Sequence, residues 1–301
     1  CTISTKYFRQ SSINYYFIIF LITFYMSKIE DKYKKLTDLQ HILERPGMFI
    51  GSVDEIDSTL WLINSQSTEY PKIIDKTITY IPGLYKIFDE IIVNVYDQTI
   101  RDPKLSLIKV EIDADKNEFV IFNDGIGIDV VVHPKEKIYV PELIFGHLRT
   151  STSFSDDKRV TGGTHGYGAK LTAIFSTYFK VEVGDPINKK RFEQVYKNNL
   201  SIKSTAKITD YNNKGSGFVW ITFKPDLKYF KIQKISEDFI KLLERRVYDL
   251  AGLTRKNIKV YLNGKKLEVS NFESYVNLFL SKEISSDIIK IDCTPDSIKY
   301  D

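Results

Sequence analysis

Residues 84–101, LYKIFDEIIVNVYDQTIR, constrain the fold more than any other stretch. Leu84, Ile87, Phe88, Ile91, Ile92 and Val95 recur at helical spacing, with Pro82-Gly83 before the run and Asp102-Pro103 after it. The spacing predicts a helix with a long apolar stripe that must be covered. Its other side carries Glu90 and Asn94 at i, i+4, with Asp97 one turn further on. Such a helix is two-sided: apolar toward a core, polar toward something else. Directly downstream, LIKVEID and EFVIFND alternate apolar and polar residues around Ala114–Asn117, the pattern of a β-hairpin.

The remainder alternates in the same manner. Arg45-Pro46-Gly47 marks a turn. Helices are expected over VPELIFGHL, over AKLTAIFSTY and over ISEDFIKLLERRVYDLAG, and strands over FKVEVG, FEQVYK and GFVWITFKP. KNIKVYLNGKKLEV reads as a hairpin turning at Asn263-Gly264. Neither an internal repeat nor a low-complexity tract interrupts the chain.

Three short stretches could carry chemistry. The first is the Glu90/Asn94 face, whose plain reading is a solvated helix surface. The second is Asn123-Asp124-Gly125-Ile126-Gly127, directly after a strand, where two glycines let the backbone turn sharply beside a ligand. Its Asp could accept from an exocyclic amine; its plain reading is a strand-end turn. The third is VTGGTHGYGAK, Val160 to Lys170. Gly163 and Gly168 have P-loop spacing, but Ala169-Lys170-Leu171 follows where Lys and then Ser or Thr are required, and Leu171 stands where a dinucleotide fingerprint needs its third glycine. Consecutive glycines before a helix still aim backbone amides at an anion; an unliganded flexible loop is the plain alternative. Asp113-Ala114-Asp115, which imitates a paired-acid metal site, sits in the hairpin turn and is read as a turn.

Taken in order, Glu-x-x-x-Asn on a helix, an Asp-Gly-x-Gly turn after a strand, and a glycine lid before another helix resemble the GHKL ATPases. PGLYKIFDEIIVN, NDGIGI, YVPELIFGHLRTS, VTGGTHGYGAKL and ERRVYDLAG resemble, more narrowly, the ATPase gate of eukaryotic-type (type IIA) DNA topoisomerase II, from about Lys32 to about Tyr275. The resemblance implies an α/β Bergerat sandwich of helices on a mixed sheet over residues 27–266, including an N-terminal arm, with residues 267–301 beginning a transducer domain. It also implies ATP and Mg²⁺. Glu90 would be the general base, and Asn94 the Mg²⁺ ligand within the ATP site. Asn123 and Asp124 would read adenine, with Gly127 in the same turn. Ser151, Thr152 and Ser153 would meet ribose and phosphates. Gly163, Thr164, His165, Gly166, Tyr167, Gly168, Ala169 and Lys170 would form the lid over the triphosphate, and Tyr33 would reach the partner subunit's nucleotide. The implied partners are a second copy of the chain, through an ATP-dependent gate, and a DNA duplex.

The chain departs from the family at Tyr96, where a small residue is usual, at Thr164-His165 in place of Arg-Asn, and at Ser153 in place of Asn. RPGMFIG and the lid histidine resemble the gyrase B branch, which stays open as an alternative beside other GHKL ATPases of chaperone or mismatch-repair type. A viral or protist member would fit such mixing. Because the transducer's lysine loop and the cleavage domain are not seen in the sequence, slow hydrolysis is expected of this chain.

Composition bears on localisation and partners. With 43% hydrophobic and 27% charged residues the chain has the make-up of a soluble globular protein. A net charge of +4 neither demands nor excludes nucleic acid. Cys1 and Cys293 form no disulfide framework and no metal spacing, which fits a nuclear or cytoplasmic setting, or a virion or viral factory, rather than secretion. The apolar run Tyr15–Tyr25 is too short for a membrane span and lacks a cleavage site, so residues 1–26 are read as an upstream or non-native segment.

Overall fold

A computed structural model of the chain describes residues 35–64, 67, 72–148, 167–213 and 215–280. Contacts divide the chain into two units, 1–44 and 45–301. In the first unit, helix α1 (Asp38–Glu44) opens on a capping box: Thr37 Oγ1 accepts from the Gln40 N–H at 3.2 Å and Gln40 Oε1 accepts from the Thr37 N–H at 3.0 Å.

The second unit begins with one 3₁₀ turn at Pro46–Met48 and an antiparallel hairpin of β1 (Ile56–Ile63) and β2 (Ile73–Tyr80). Then come helix α2 (Pro82–Arg101), β3 (Leu107–Asp113), β4 (Glu118–Gly125), α3 (Val140–Gly146) and α4 (Gly168–Ile174). Strands β5 (Ser176–Asp185), β6 (Lys190–Lys197), β7 (Ile202–Lys203), β8 (Lys207–Asp210) and β9 (Gly217–Pro225) follow. Helix α5 (Glu237–Leu253), β10 (Lys259–Leu262), β11 (Lys265–Lys266), α6 (Phe272–Val276) and a second 3₁₀ turn at Asn277–Phe279 complete the described residues. The helix expected over 169–178 stops at Ile174: Thr172 and Ser176 bond locally, and Ser176–Tyr178 join β5 instead.

Nine strands form one mixed sheet in the order β11-β10-β3-β4-β9-β5-β6-β7, with β8 also paired to β6. Only β10 against β3 is parallel. The β3–β4 hairpin turns where expected, and Asp113 of the Asp-Ala-Asp stretch is spent on the turn, accepting from the Lys116 N–H at 2.9 Å and from its Nζ at 2.7 Å. The β10–β11 turn places Asn263 and Gly264 at φ +48° and +77°, the pair of left-handed conformations that a two-residue hairpin favours.

Alternation explains the layering. Phe119 and Ile121 on β4, Ile108 and Val110 on β3, and Phe179 and Val181 on β5 turn to one face and are buried. Helices α2, α4 and α5 cover that face. Ile87, Phe88, Ile91 and Ile92 of α2 are at most 1% exposed; each such side chain contributes about 1.5–3 kcal/mol of transfer free energy. Helix α5 starts at an N-cap, Ser236, whose Oγ accepts from the Phe239 N–H, and is tied to α2 by Arg246 Nε donating to Asp89 Oδ1 at 2.6 Å. Tyr275 donates its hydroxyl to Asp249 Oδ1 at 2.6 Å, which docks α6 on α5 within the second unit.

Candidate active site

The polar edge of α2 meets the start of α4. Glu90 Oε1 is held by Lys86 Nζ at 2.6 Å, one helical turn back, which leaves Oε2 turned toward Gly168. A Cβ on Gly168 would fall 2.3 Å from Glu90 Oε2 and 3.7 Å from Asn94 Nδ2. Only glycine therefore lets the second element come this close to the first. Thr172, fully buried, donates its hydroxyl to the Ile87 carbonyl at 2.7 Å and fixes α4 on α2. Glu90 and Asn94 thus line one place with Gly168, which is distant from them in sequence.

The end of β4 approaches from the sheet. The same alternation that buries Phe119 and Ile121 brings Asn123 to the helix-covered face, 5% exposed, and sends Asp124 to the other. Asn123 Nδ2 donates to the Asp124 carbonyl at 2.9 Å. The Asp124 carboxylate is spent on the neighbouring strand: Oδ1 accepts from the Ser106 and Leu107 amides at 2.8 Å each, and Oδ2 from the Ser106 hydroxyl at 2.7 Å. Adjacent strand residues point apart, so Asn123 and Asp124 stand on opposite faces of β4. The signal was present in EFVIFND, where Asn123 continues the apolar register and Asp124 does not.

Gly125 and Gly127 sit at φ +127° and +75°, and a Cβ at either would collide, with Asp102 Oδ2 at 2.1 Å and with the Gly184 carbonyl at 2.4 Å. Asp102 is a residue that sequence reasoning missed. It was legible only as the stop of α2, whereas its buried carboxylate receives the Ile126 amide at 2.7 Å.

Lys170, 2% exposed, lies within α4, and burial pulls its ammonium pKa down to about 8. Ala169 is buried beside it, and the Tyr167 ring stands 6.3 Å from that of Phe49. Ser151, Thr152, Ser153, Gly163, Thr164, His165, Gly166 and Tyr33 lie outside the described residues. Among the described residues no group of three or more His, Cys, Asp or Glu side chains could hold a metal ion by itself. One carboxylate and one amide beside a glycine cradle instead suit a cation that takes most of its oxygen ligands from phosphates and water. No helix among the described residues is long and apolar enough to cross a membrane.

No protein-family model matches the chain. DNA topoisomerase 2 of Candida glabrata is 44% identical over 272 residues, which is 89% of this chain and 19% of that protein. DNA topoisomerase 2 of Arabidopsis thaliana is 46% identical over 254 residues, and human DNA topoisomerase 2-alpha 46% identical over 272. The chain thus spans less than a fifth of the length of these curated relatives. Among solved structures, the ATPase region of Saccharomyces cerevisiae topoisomerase II superposes with a TM-score of 0.80 at 45% identity, covering 84% of this chain and 66% of that one. The ATPase and transducer domains of DNA topoisomerase II from Balamuthia mandrillaris superpose with a TM-score of 0.78 at 41% identity, covering 83% of this chain and 64% of that one. Similar in sequence over most of its length and in fold over the same span, the chain belongs to the eukaryotic-type DNA topoisomerase II family, in the GHKL ATPase region of its members.

Proposed function

We propose that this chain binds ATP with Mg²⁺ and hydrolyses it as the ATP-operated gate of a type IIA DNA topoisomerase. The observation that carries the reading is the seating of Gly168 against Glu90 and Asn94. Glu90, as proton acceptor, and Asn94, as metal ligand, flank Gly168 at the first position of α4, where any side chain would collide with Glu90. Glu90 Oε2 takes the proton of a water as that water's oxygen bonds to the terminal phosphorus. The bond from that phosphorus to its bridging oxygen breaks, leaving ADP and phosphate. Asn94 would hold Mg²⁺, which when bound would neutralise charge on the phosphate oxygens. Asn123, on the buried face, takes the adenine contact, and Gly125 and Gly127 let the backbone reach the base.

Lys170 supplies positive charge toward the triphosphate. Ser151, Thr152 and Ser153 serve ribose and phosphates, and residues 163–169 close over them. Tyr33 reaches the nucleotide of a second copy, so that ATP closes a two-fold gate around a DNA duplex in the nucleus or cytoplasm. The division into an arm-bearing ATPase segment, 27–266, and a transducer segment from 267 belongs to the same proposal.

Calorimetric titration with a non-hydrolysable ATP analogue and Mg²⁺, wild type beside Asn123→Ala, tests the reading. Wild-type binding that the substitution weakens at least about tenfold is expected, the loss of one polar contact to a base. Absence of wild-type binding would overturn it.

A further inference from the structure

The β4–β9 ladder ends at Gly125 opposite Gly217, and beyond it the chain leaves the sheet. Two buried carboxylates receive the amides that follow. Asp102, 0% exposed, accepts from Ile126 N–H through Oδ2 at 2.7 Å and from Lys104 N–H through Oδ1 at 2.8 Å. Asp185, 1% exposed, accepts from Val130 N–H through Oδ2 at 2.7 Å, while its Oδ1 takes the Ile187 and Asn188 amides at 2.9 Å. The turn that carries Asp102 is braced in its own right: Arg255 Nη2 donates to the carbonyls of Asp102 at 3.0 Å and Leu105 at 3.4 Å. Burial alone would raise the Asp185 carboxyl. The hydrogen bonds from Asn188, Val130 and Ile187 outweigh it and hold the group below the usual carboxylate range.

Amide-to-carboxylate bonds are about twice as strong as neutral ones. Here both carboxylates clamp one short loop, at its second and last residues, and neither clamp lies on the β4 ladder itself. We infer that Asp102 and Asp185 are positioning residues that preset the Gly125–Val130 loop for the nucleotide base before the nucleotide arrives. The inference rests on the reading of Asn123 and this loop as the adenine side of the site. A loop ordered only on binding would charge its ordering entropy to the ligand, whereas a clamped loop removes that penalty from every binding event. Loosening it weakens affinity without touching bond breaking, because Glu90 is held on α2 by Lys86.

Single-turnover ATP hydrolysis with Mg²⁺, at varied concentrations of the chain, separates the two quantities for wild type, Asp102→Asn and Asp185→Asn. The half-saturating concentration is expected to rise about tenfold in each variant while the limiting rate stays within about twofold. An unchanged half-saturation point, or a limiting rate that falls in step with it, overturns the inference. Should a variant fail to fold, hydrogen exchange on the wild type decides. Ile126 and Val130 amides as protected as those of β4 before any nucleotide is added support it; amides that exchange freely until the analogue is added overturn it. Wild type that binds the analogue yet shows unprotected loop amides sinks only this inference. Wild type that binds no analogue sinks the ATP reading and this inference with it.

Discussion

Gly168→Ala is the most selective perturbation of the proposed chemistry. The glycine lies at the first position of α4, where alanine is a better helix former by about 0.5–1 kcal/mol. The added Cβ, however, would stand 2.3 Å from Glu90 Oε2, where ordinary contact begins at 3.4 Å. A displacement of roughly 1 Å is therefore forced, and the flexible carboxylate gives way more readily than the packed helix held by the Thr172–Ile87 bond. The fold should lose at most about 1 kcal/mol, or 2–4 °C in melting temperature for a chain of this size. Catalysis should suffer far more, because a misplacement of about 1 Å costs on the order of a hundredfold, equal to about 2.7 kcal/mol of barrier. Single-turnover ATP hydrolysis beside thermal melting reads both quantities. Gly47→Ala, with nothing within 4 Å of its Cβ, serves as the control. Wild-type hydrolysis by Gly168→Ala would falsify the assignment of Glu90 Oε2 as the proton acceptor.

Three further outcomes follow from the same geometry. Glu90→Gln should keep analogue affinity within about threefold in calorimetry while hydrolysis falls at least about a hundredfold, as removal of a general base does. Asp124→Ala should lower stability by about 1–3 kcal/mol in denaturant titration, through the three bonds it accepts from Ser106 and Leu107, yet change nucleotide affinity less than about threefold; a large affinity loss would restore Asp124 to the adenine contact. Lys170 gives a pH signature. Its folded pKa of about 8 lies below the ordinary 10.5, so the unfolded chain binds more protons between those values and stability rises with pH across that window. Lys170→Met should abolish that rise, and affinity for the anionic analogue should weaken in wild type as pH climbs through about 8; a variant with an unaltered pH profile refutes the assignment.

Much of the architecture was legible in local pattern. The 3.6-residue period drew α2 and α5 almost to their ends, and period-two alternation drew β3, β4 and β9, because each element reports only which of its own faces is apolar. The β1–β2 hairpin escaped notice: Leu62, Ile63, Ile73 and Ile78 are its buried residues, and they leave no clean alternation. Helix α4 was read too long, since an apolar run favours helix and strand alike until its neighbours are known.

The order of motifs along the chain was sufficient, through resemblance, to identify the family, and it singled out Glu90, Asn94 and the glycine lid as candidates. The chain by itself also recorded that Asn123 and Asp124 face opposite sides, in the register that continues from Phe119 and Ile121. Only tertiary structure decided what these residues touch. Gly168 against Glu90, Asp102 beneath Gly125 and Asp185 at Val130 are contacts between elements far apart in the chain. Local periodicity records burial but not the identity of the neighbour. That neighbour exists only once the helices have packed and the loops have closed over the sheet.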